Sequence, residues 1–175
     1  MRKTVSGMLA VVALVVASDL TAQTCGGVNS CSVTVDASVA VPALVSLNLG
    51  AGSITLTPPT VADFGSFVQD NGPSFTVKAN RSWSLSVHTT ATTDWTYVGT
   101  AGGVKPIGDL TWSNTSTGTY VAVTNTAAAI VTNQAKTNGA SPTLFFRTHW
   151  AAAFDDPRNA AGTFTIPLMF TLSAP

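Results

Sequence analysis

The sequence predicts an all-β protein, a single antiparallel β-sandwich of immunoglobulin-like type. Three observations carry that expectation. The closing stretch, Gly162 to Pro175, alternates strictly: Phe164, Ile166, Leu168, Phe170 and Leu172 fall on every second position, with Thr165, Pro167, Met169 and Thr171 between them. Composition disfavours helices: charged residues make up only 9% of the chain and glutamate is absent. Abundant Thr and Val suit a pleated surface instead. Finally, short alternating runs recur along the chain, separated by Gly, Pro and Asn turns, which is the pattern of a sandwich or barrel. In a sandwich each strand gives one face to a shared core.

Residues 1–22 read as a secretory signal peptide. Arg2 and Lys3 supply the positive start, Met8 to Ala17 the apolar run, and Ala17 and Ala22 the small residues of a cleavage site. The run is about half of the ~20 apolar residues that a membrane span needs. No membrane insertion is therefore expected after cleavage, and Ala22 and Thr24 do not fit a lipoprotein signal at Cys25. Residues 23–32 form a short segment carrying both cysteines, Cys25 and Cys31, in "TCGGVNSC". In an oxidising compartment two such neighbours pair as a disulfide, and Gly26 and Gly27 let the loop bend back. Metal binding is the alternative, but no histidine or further cysteine lies nearby.

Residues 33–175 are expected to form the β-sandwich domain. Val33, Val35, Ala37, Val39 and Val41, then Ala43, Val45, Leu47 and Leu49, predict one long strand, or two broken at Pro42. Ile54 to Leu56 predicts a short strand. "DFGSF" and "DNGP" bracket a turn region. "SFTVKA" places Phe75, Val77 and Ala79 inward, and "SWSLSVHTT" places Trp83, Leu85 and Val87 inward with His88 outward. "DWTYVG", "GDLTWS", "GTYVAVT" and "TAAAIVT" read as strands, "TNGASP" as a loop, "TLFFRTHWA" as a strand and "AAFDDPRNAAG" as a loop. Pro167 cannot donate to a ladder, so the last strand must lie at an edge or carry a bulge.

Net charge is zero, so no basic field draws nucleic acid and no polybasic patch draws anionic lipid. The catalytic inventory is thin. His88 and His149 fall on the polar phase of their strands, no Gly-x-Ser-x-Gly elbow is present, and a carboxylate pair for glycoside hydrolysis would have to be two aspartates. Asp155 and Asp156 are adjacent in a loop, and "DDPRN" lacks the spacing of a calcium loop. No zinc pattern or phosphate loop occurs. No catalytic, cofactor or metal residues are expected, and the chain reads as noncatalytic. Trp95, Tyr97, Trp112, Tyr120 and Trp150 could serve as a sugar platform or fill the core. Asn80 and Asn114 each open a glycosylation sequon.

Two stretches carry a family likeness. "RSWSLSV" holds Trp83-Ser84-Leu85, and "AGTFTIPLMFTLSAP" holds Phe164, then Phe170-Thr171-Leu172, then a terminal Ser-Ala-Pro. Together with Asp63-Phe64-Gly65 this resembles the WxL domain of bacterial surface proteins. Trp83 and Leu85 match its first motif. Phe164, Phe170 and Leu172 stand where the tyrosine, the second tryptophan and the leucine would be. Phe replaces both Tyr and Trp there, and Thr89 to Pro142 matches no family motif. The resemblance implies export and adhesion or binding to cell wall polysaccharide or a surface protein. It also directs attention to Trp83, Leu85, Phe164, Phe170 and Leu172, which alternation assigns to the core rather than to a contact face. A more distant likeness is to immunoglobulin-like fimbrial subunits, which assemble by strand exchange. There the run Val33 to Val41 would be a strand donated to another copy. The expected location is the cell surface, the periplasm or the extracellular medium.

Overall fold

In a computed structural model, residues 32–174 are described, together with Gly26, Asn29 and Ser30. The expected signal peptide and the Cys25–Cys31 bridge lie outside the described residues. The chain divides into residues 1–40 and residues 41–175. In the first unit the described residues hold no regular secondary structure.

The second unit is all-β. Its strands are β1 (Val45–Leu49), β2 (Phe67–Asn71), β3 (Phe75–Ala79), β4 (Trp83–Thr89), β5 (Thr96–Val98), β6 (Leu110–Ser113), β7 (Val121–Ala122), β8 (Ala128–Gln134), β9 (Thr137–Ala140), β10 (Phe145–His149), β11 (Thr163–Thr165) and β12 (Leu168–Ser173). Three 3-10 turns interrupt them, at Val61–Asp63, Ile107–Asp109 and Pro157–Asn159. No helix among the described residues is long and apolar enough to cross a membrane.

Four antiparallel sheets form, in the orders β1-β3-β9, β2-β10-β6-β7, β11-β5 and β12-β4-β8. Two of them are continued by the same chain segments. β2 runs into β3 and β9 into β10, and the gap between them is bridged by Gly72 N–H donating to Leu144 O at 2.7 Å. The ladder also extends past His149 paired with Phe67, through Trp150 N–H to Ser66 O at 3.0 Å. In the same way β4 leads to β5, and β11 leads to β12 across Pro167. The result is two layers of antiparallel strands, sandwich-like, enclosing one core.

Period-two alternation builds that core. Phe75, Val77 and Ala79 from β3 meet Trp83, Leu85 and Val87 from β4, with Leu110, Trp112, Ile130 and Phe146 alongside. Phe75 and Phe170 stack edge-on at 5.0 Å. Trp83 is 2% exposed and its indole N–H donates to Ala135 O at 2.8 Å, which satisfies the one polar atom it buries. Phe164, Ile166, Leu168, Phe170 and Leu172 do face this core, but each is only half-buried.

Several expectations are corrected. Only Val45–Leu49 of the long N-terminal run is a strand. Residues 33–41 form no ladder, and Val35 and Val39 are 84% and 87% exposed. The break falls where Pro42 offers no N–H and where the Asn80 side chain takes over the main chain. Asn80 accepts from Leu44 N–H and donates to Pro42 O, both at 2.8 Å. Ile54 to Leu56 packs on the core without being a strand. The supposed turn between "DFGSF" and "DNGP" is β2. The supposed loop "TNGASP" contains β9, where Gly139 is the extra residue of a bulge. Of "GTYVAVT" only Val121–Ala122 pairs. Pro167 separates β11 from β12, and β12 lies at a sheet edge, as its missing N–H requires.

Candidate functional site

Chemistry gathers at the end of the molecule where β10 leaves its sheet. Lys105 is drawn inside because its backbone pairs with Trp95. Trp95 N–H donates to Lys105 O at 2.8 Å, and the Trp95 indole donates to Pro106 O at 3.1 Å. The turn Ile107–Asp109 then brings Asp109 back, one helical turn on, to 3.3 Å from the Lys105 ammonium. Lys105 is fully buried. Its Nζ also donates to His149 O and sits 4.0 Å over the Trp150 ring and 5.9 Å from the Trp95 ring. Desolvation pulls its pKa below 10.5, and Asp109 opposes that shift. A buried charge needs this pairing; a carboxylate, a carbonyl and two indole faces supply it.

Trp150 separates two hollows. On one side lies an open polar one of about 660 Å³ around Asp109, Thr111, His149, Arg158 and Ser66. His149 Nε2 is 3.3 Å from Thr111 Oγ1, and its ring lies 5.7 Å from that of Phe67. Burial, first of all, holds its pKa below 6.5. His149 is therefore half-buried rather than simply exposed, and so is His88, whose Nδ1 is buried without a hydrogen-bond partner. On the other side lies a cleft of about 460 Å³ between the two layers. Its apolar walls are Ile54 and Leu56 on one side and Phe164, Ile166 and Leu168 on the other, and Phe146, Thr148 and Trp150 also line it. Thr148 Oγ1 and Trp150 Nε1 are buried with no hydrogen-bond partner among the described residues.

A third feature is the outer face of the sheet formed by β2, β10, β6 and β7. The Arg147 guanidinium is clamped between the Phe67 ring at 4.1 Å and the Tyr120 ring at 3.8 Å. Its Nε donates to Gln69 at 2.9 Å, while its terminal amino groups make no hydrogen bond among the described residues. Alternation sets this up: Phe67 and Gln69 on β2 share a face with Arg147 and His149 on β10.

The structure disperses the residues singled out from sequence. Trp83 and Leu85 lie deep in the core, and Phe164, Phe170 and Leu172 line its half-covered side. Asp155 is exposed. Asp156 caps the turn Pro157–Asn159 and pairs with Arg158 at 3.0 Å, which lowers its pKa. Asn159 is held by Ala151 and Ala153, so the side-chain oxygens of Asp156 and Asn159 are committed internally, while those of Asp155 face solvent. Of the sequons, Asn80 is engaged as above, and Asn114 Nδ2 reaches Ile130 O at 3.5 Å. Of the aromatic set, Trp95 and Trp112 are core, while Tyr97, Tyr120 and Trp150 are half-buried. Sequence reading missed Lys105 and Arg147. The signal for Arg147 was present in "FFRTH", a lone cation on the outward phase of an apolar strand. No local signal marks Lys105.

No protein-family model matches the chain, and no curated protein matches it.

Proposed function

We propose that this is an exported, noncatalytic cell-surface protein whose immunoglobulin-like β-sandwich binds cell wall polymer or a surface partner. The observation that carries the reading is the Arg147 clamp. A guanidinium fixed between two rings, with its outer N–H groups free, is pre-organised for a carboxylate or phosphate on an extended polymer. The flanking Phe67, Tyr120 and His149 rings add stacking surface. The WxL-like Trp83-Ser84-Leu85 and Phe170-Thr171-Leu172 stretches support a wall role. Their aromatic residues act there as framework, and Arg147 as contact. The test is a pull-down on purified peptidoglycan. Arg147→Ala should lose attachment while remaining folded, with a stability loss of only about 1 kcal/mol; attachment unchanged in that variant would reject this face. Lost attachment with normal melting in Trp83→Ala and Phe170→Ala would make the motif itself the contact surface.

One observation favours a second reading, a structural subunit that assembles by strand exchange. Val33, Val35, Val39 and Val41 alternate, are exposed and join no ladder. Such a segment is suited to completing a sheet in another copy.

A further inference from the structure

The Arg147 clamp ends where the open polar hollow begins, and Phe67 belongs to both. Its ring carries the Arg147 guanidinium at 4.1 Å and also borders the hollow of about 660 Å³. Side chains in that hollow have hydrogen-bonding capacity to spare. Asp109 gives Oδ2 to the Lys105 ammonium at 3.3 Å, and its Oδ1 makes no hydrogen bond among the described residues. Arg158 spends Nε and one terminal nitrogen on Asp156, each at 3.0 Å, and its other terminal nitrogen makes no hydrogen bond among the described residues. Thr111 Oγ1 donates to Arg147 O at 3.4 Å. The neutral His149 ring, 3.3 Å from that oxygen, therefore donates to it from Nε2 and keeps Nδ1 as an acceptor. Ser66 is exposed at the rim.

The two parts differ in charge. In the hollow each charge is already balanced, Asp109 by Lys105 and Arg158 by Asp156. Arg147 has no carboxylate partner among the described residues, so it carries the one uncompensated charge of clamp and hollow together. An anion entering the hollow would meet the Asp109 carboxylate with no unpaired cation to offset it. Hydroxyl groups, each both donor and acceptor, suit Asp109 Oδ1, His149 Nδ1 and the spare Arg158 nitrogen.

We infer that the hollow is a neutral-sugar subsite adjoining the Arg147 anion site, so that the ligand class is a glycan in which an acidic sugar stands beside an uncharged one. The inference rests on the reading of Arg147 as the contact residue. Arg147 takes the acid group of one unit, a carboxylate or a phosphate, through its outward N–H groups. The hollow takes the hydroxyls of the next unit against the Phe67 and Trp150 rings. A concave site with an aromatic wall and a few converging polar groups is the usual form of a small-ligand pocket. Arg147 and His149 are two residues apart on β10, about 6.6–7 Å, so one short oligosaccharide reaches both parts. A chain charged on every unit fits less well, because its second charge falls beside Asp109.

The experiment is isothermal titration calorimetry on the purified protein, with Trp150 fluorescence as a second signal. The probes are a soluble oligosaccharide alternating a uronic acid with a neutral sugar, the same oligosaccharide with its carboxyls reduced to alcohols, an alternating oligosaccharide bearing phosphate instead, an all-uronate oligomer, and a sugar-free acidic peptide. The alternating acidic probes should bind best, and the tighter of the two names the acid group. Carboxyl reduction should weaken binding by about tenfold or more, because a charge-assisted pair is lost. The all-uronate oligomer should bind at least about fivefold more weakly than the alternating one. Arg147→Ala should erase the preference for the acidic over the reduced probe. Arg158→Met keeps the stem and removes the spare donor; it should weaken both probes by about three- to tenfold and leave their ratio as in the parent. An all-uronate oligomer or acidic peptide bound by the parent as tightly as the alternating probe overturns the subsite. Lost peptidoglycan attachment in Arg147→Ala would still uphold the clamp in that case, and also if the parent bound none of the probes, which overturns the subsite as well. A parent that binds the acidic and reduced probes equally overturns subsite and clamp together. These comparisons use the parent, so they decide the matter even where Arg158→Met fails to fold.

Discussion

The core and the cleft are built from the same alternating strands, yet they end differently. At the β3–β4 end, Phe75, Val77, Trp83 and Leu85 are covered from both layers, and the indole of Trp83 finds its acceptor. At the β11–β12 edge, Ile166 and Leu168 face inward on the same period but stay half-buried, because they find only part of a wall. Alternation decides which way a side chain points; only tertiary pairing decides whether it is covered. The fully covered residues are where truncation should cost the domain most, and the half-covered edge is where it should cost less.

The sharpest way to break that comparison is at the covered end. Trp83→Ala should destabilise the domain by about 3–5 kcal/mol, through lost burial plus a cavity, measured by urea unfolding. That is a large share of a total stability of about 5–15 kcal/mol. A matched pair sharpens it. Leu85→Ala, at a fully buried position, should cost about 2–5 kcal/mol, and Leu168→Ala, half-buried at the open edge, about 1–2 kcal/mol. Equal costs in dilute protein would mean that the edge is closed after all.

Strand existence was legible where the pattern is local. β3, β4, β8, β10 and the closing strands follow from period two, and Pro167 was read correctly as an edge or irregularity. Three things were not legible. Residues 33–41 alternate as well as any strand here, but alternation does not supply a neighbour, and Pro42 with the Asn80 clamp ends the pairing. β9 was hidden because Gly139 sits in a bulge and resembles a turn residue. The Lys105 cluster depends on contacts with His149 and Trp150 from a strand distant in sequence, which no window of sequence reveals.

A smaller effect concerns pH. His149 titrates below 6.5 because burial disfavours its charged form. Between its folded pKa and 6.5, the unfolded chain binds a proton that the folded chain does not, so stability falls as pH drops through that window. Asp156 and Asp63 act in the same direction at lower pH. Their folded pKa values lie below 3.8, through hydrogen bonds from Arg158 and Thr60, so the stability they add is lost as pH falls through those values. His149→Gln should therefore flatten the melting temperature against pH below neutrality and leave the carboxylate limb intact. A slope identical to the parent's would remove His149 from this role. The smallest expected stability effect is that of Arg147→Ala, about 1 kcal/mol from the lost ring contacts, read by thermal melting. A larger loss would make the clamp a structural element of the sheet rather than a contact surface.

Hydrogen exchange tests the contrast between covered core and open edge most directly. Amides of β4, Trp83–Thr89, should be protected equally in dilute and concentrated protein. The amides of β11 and the start of β12, at residues 163–166 and 168, should exchange faster than those of β4, because their side chains are only half-buried. Protection at those amides equal to that of β4 would contradict the account.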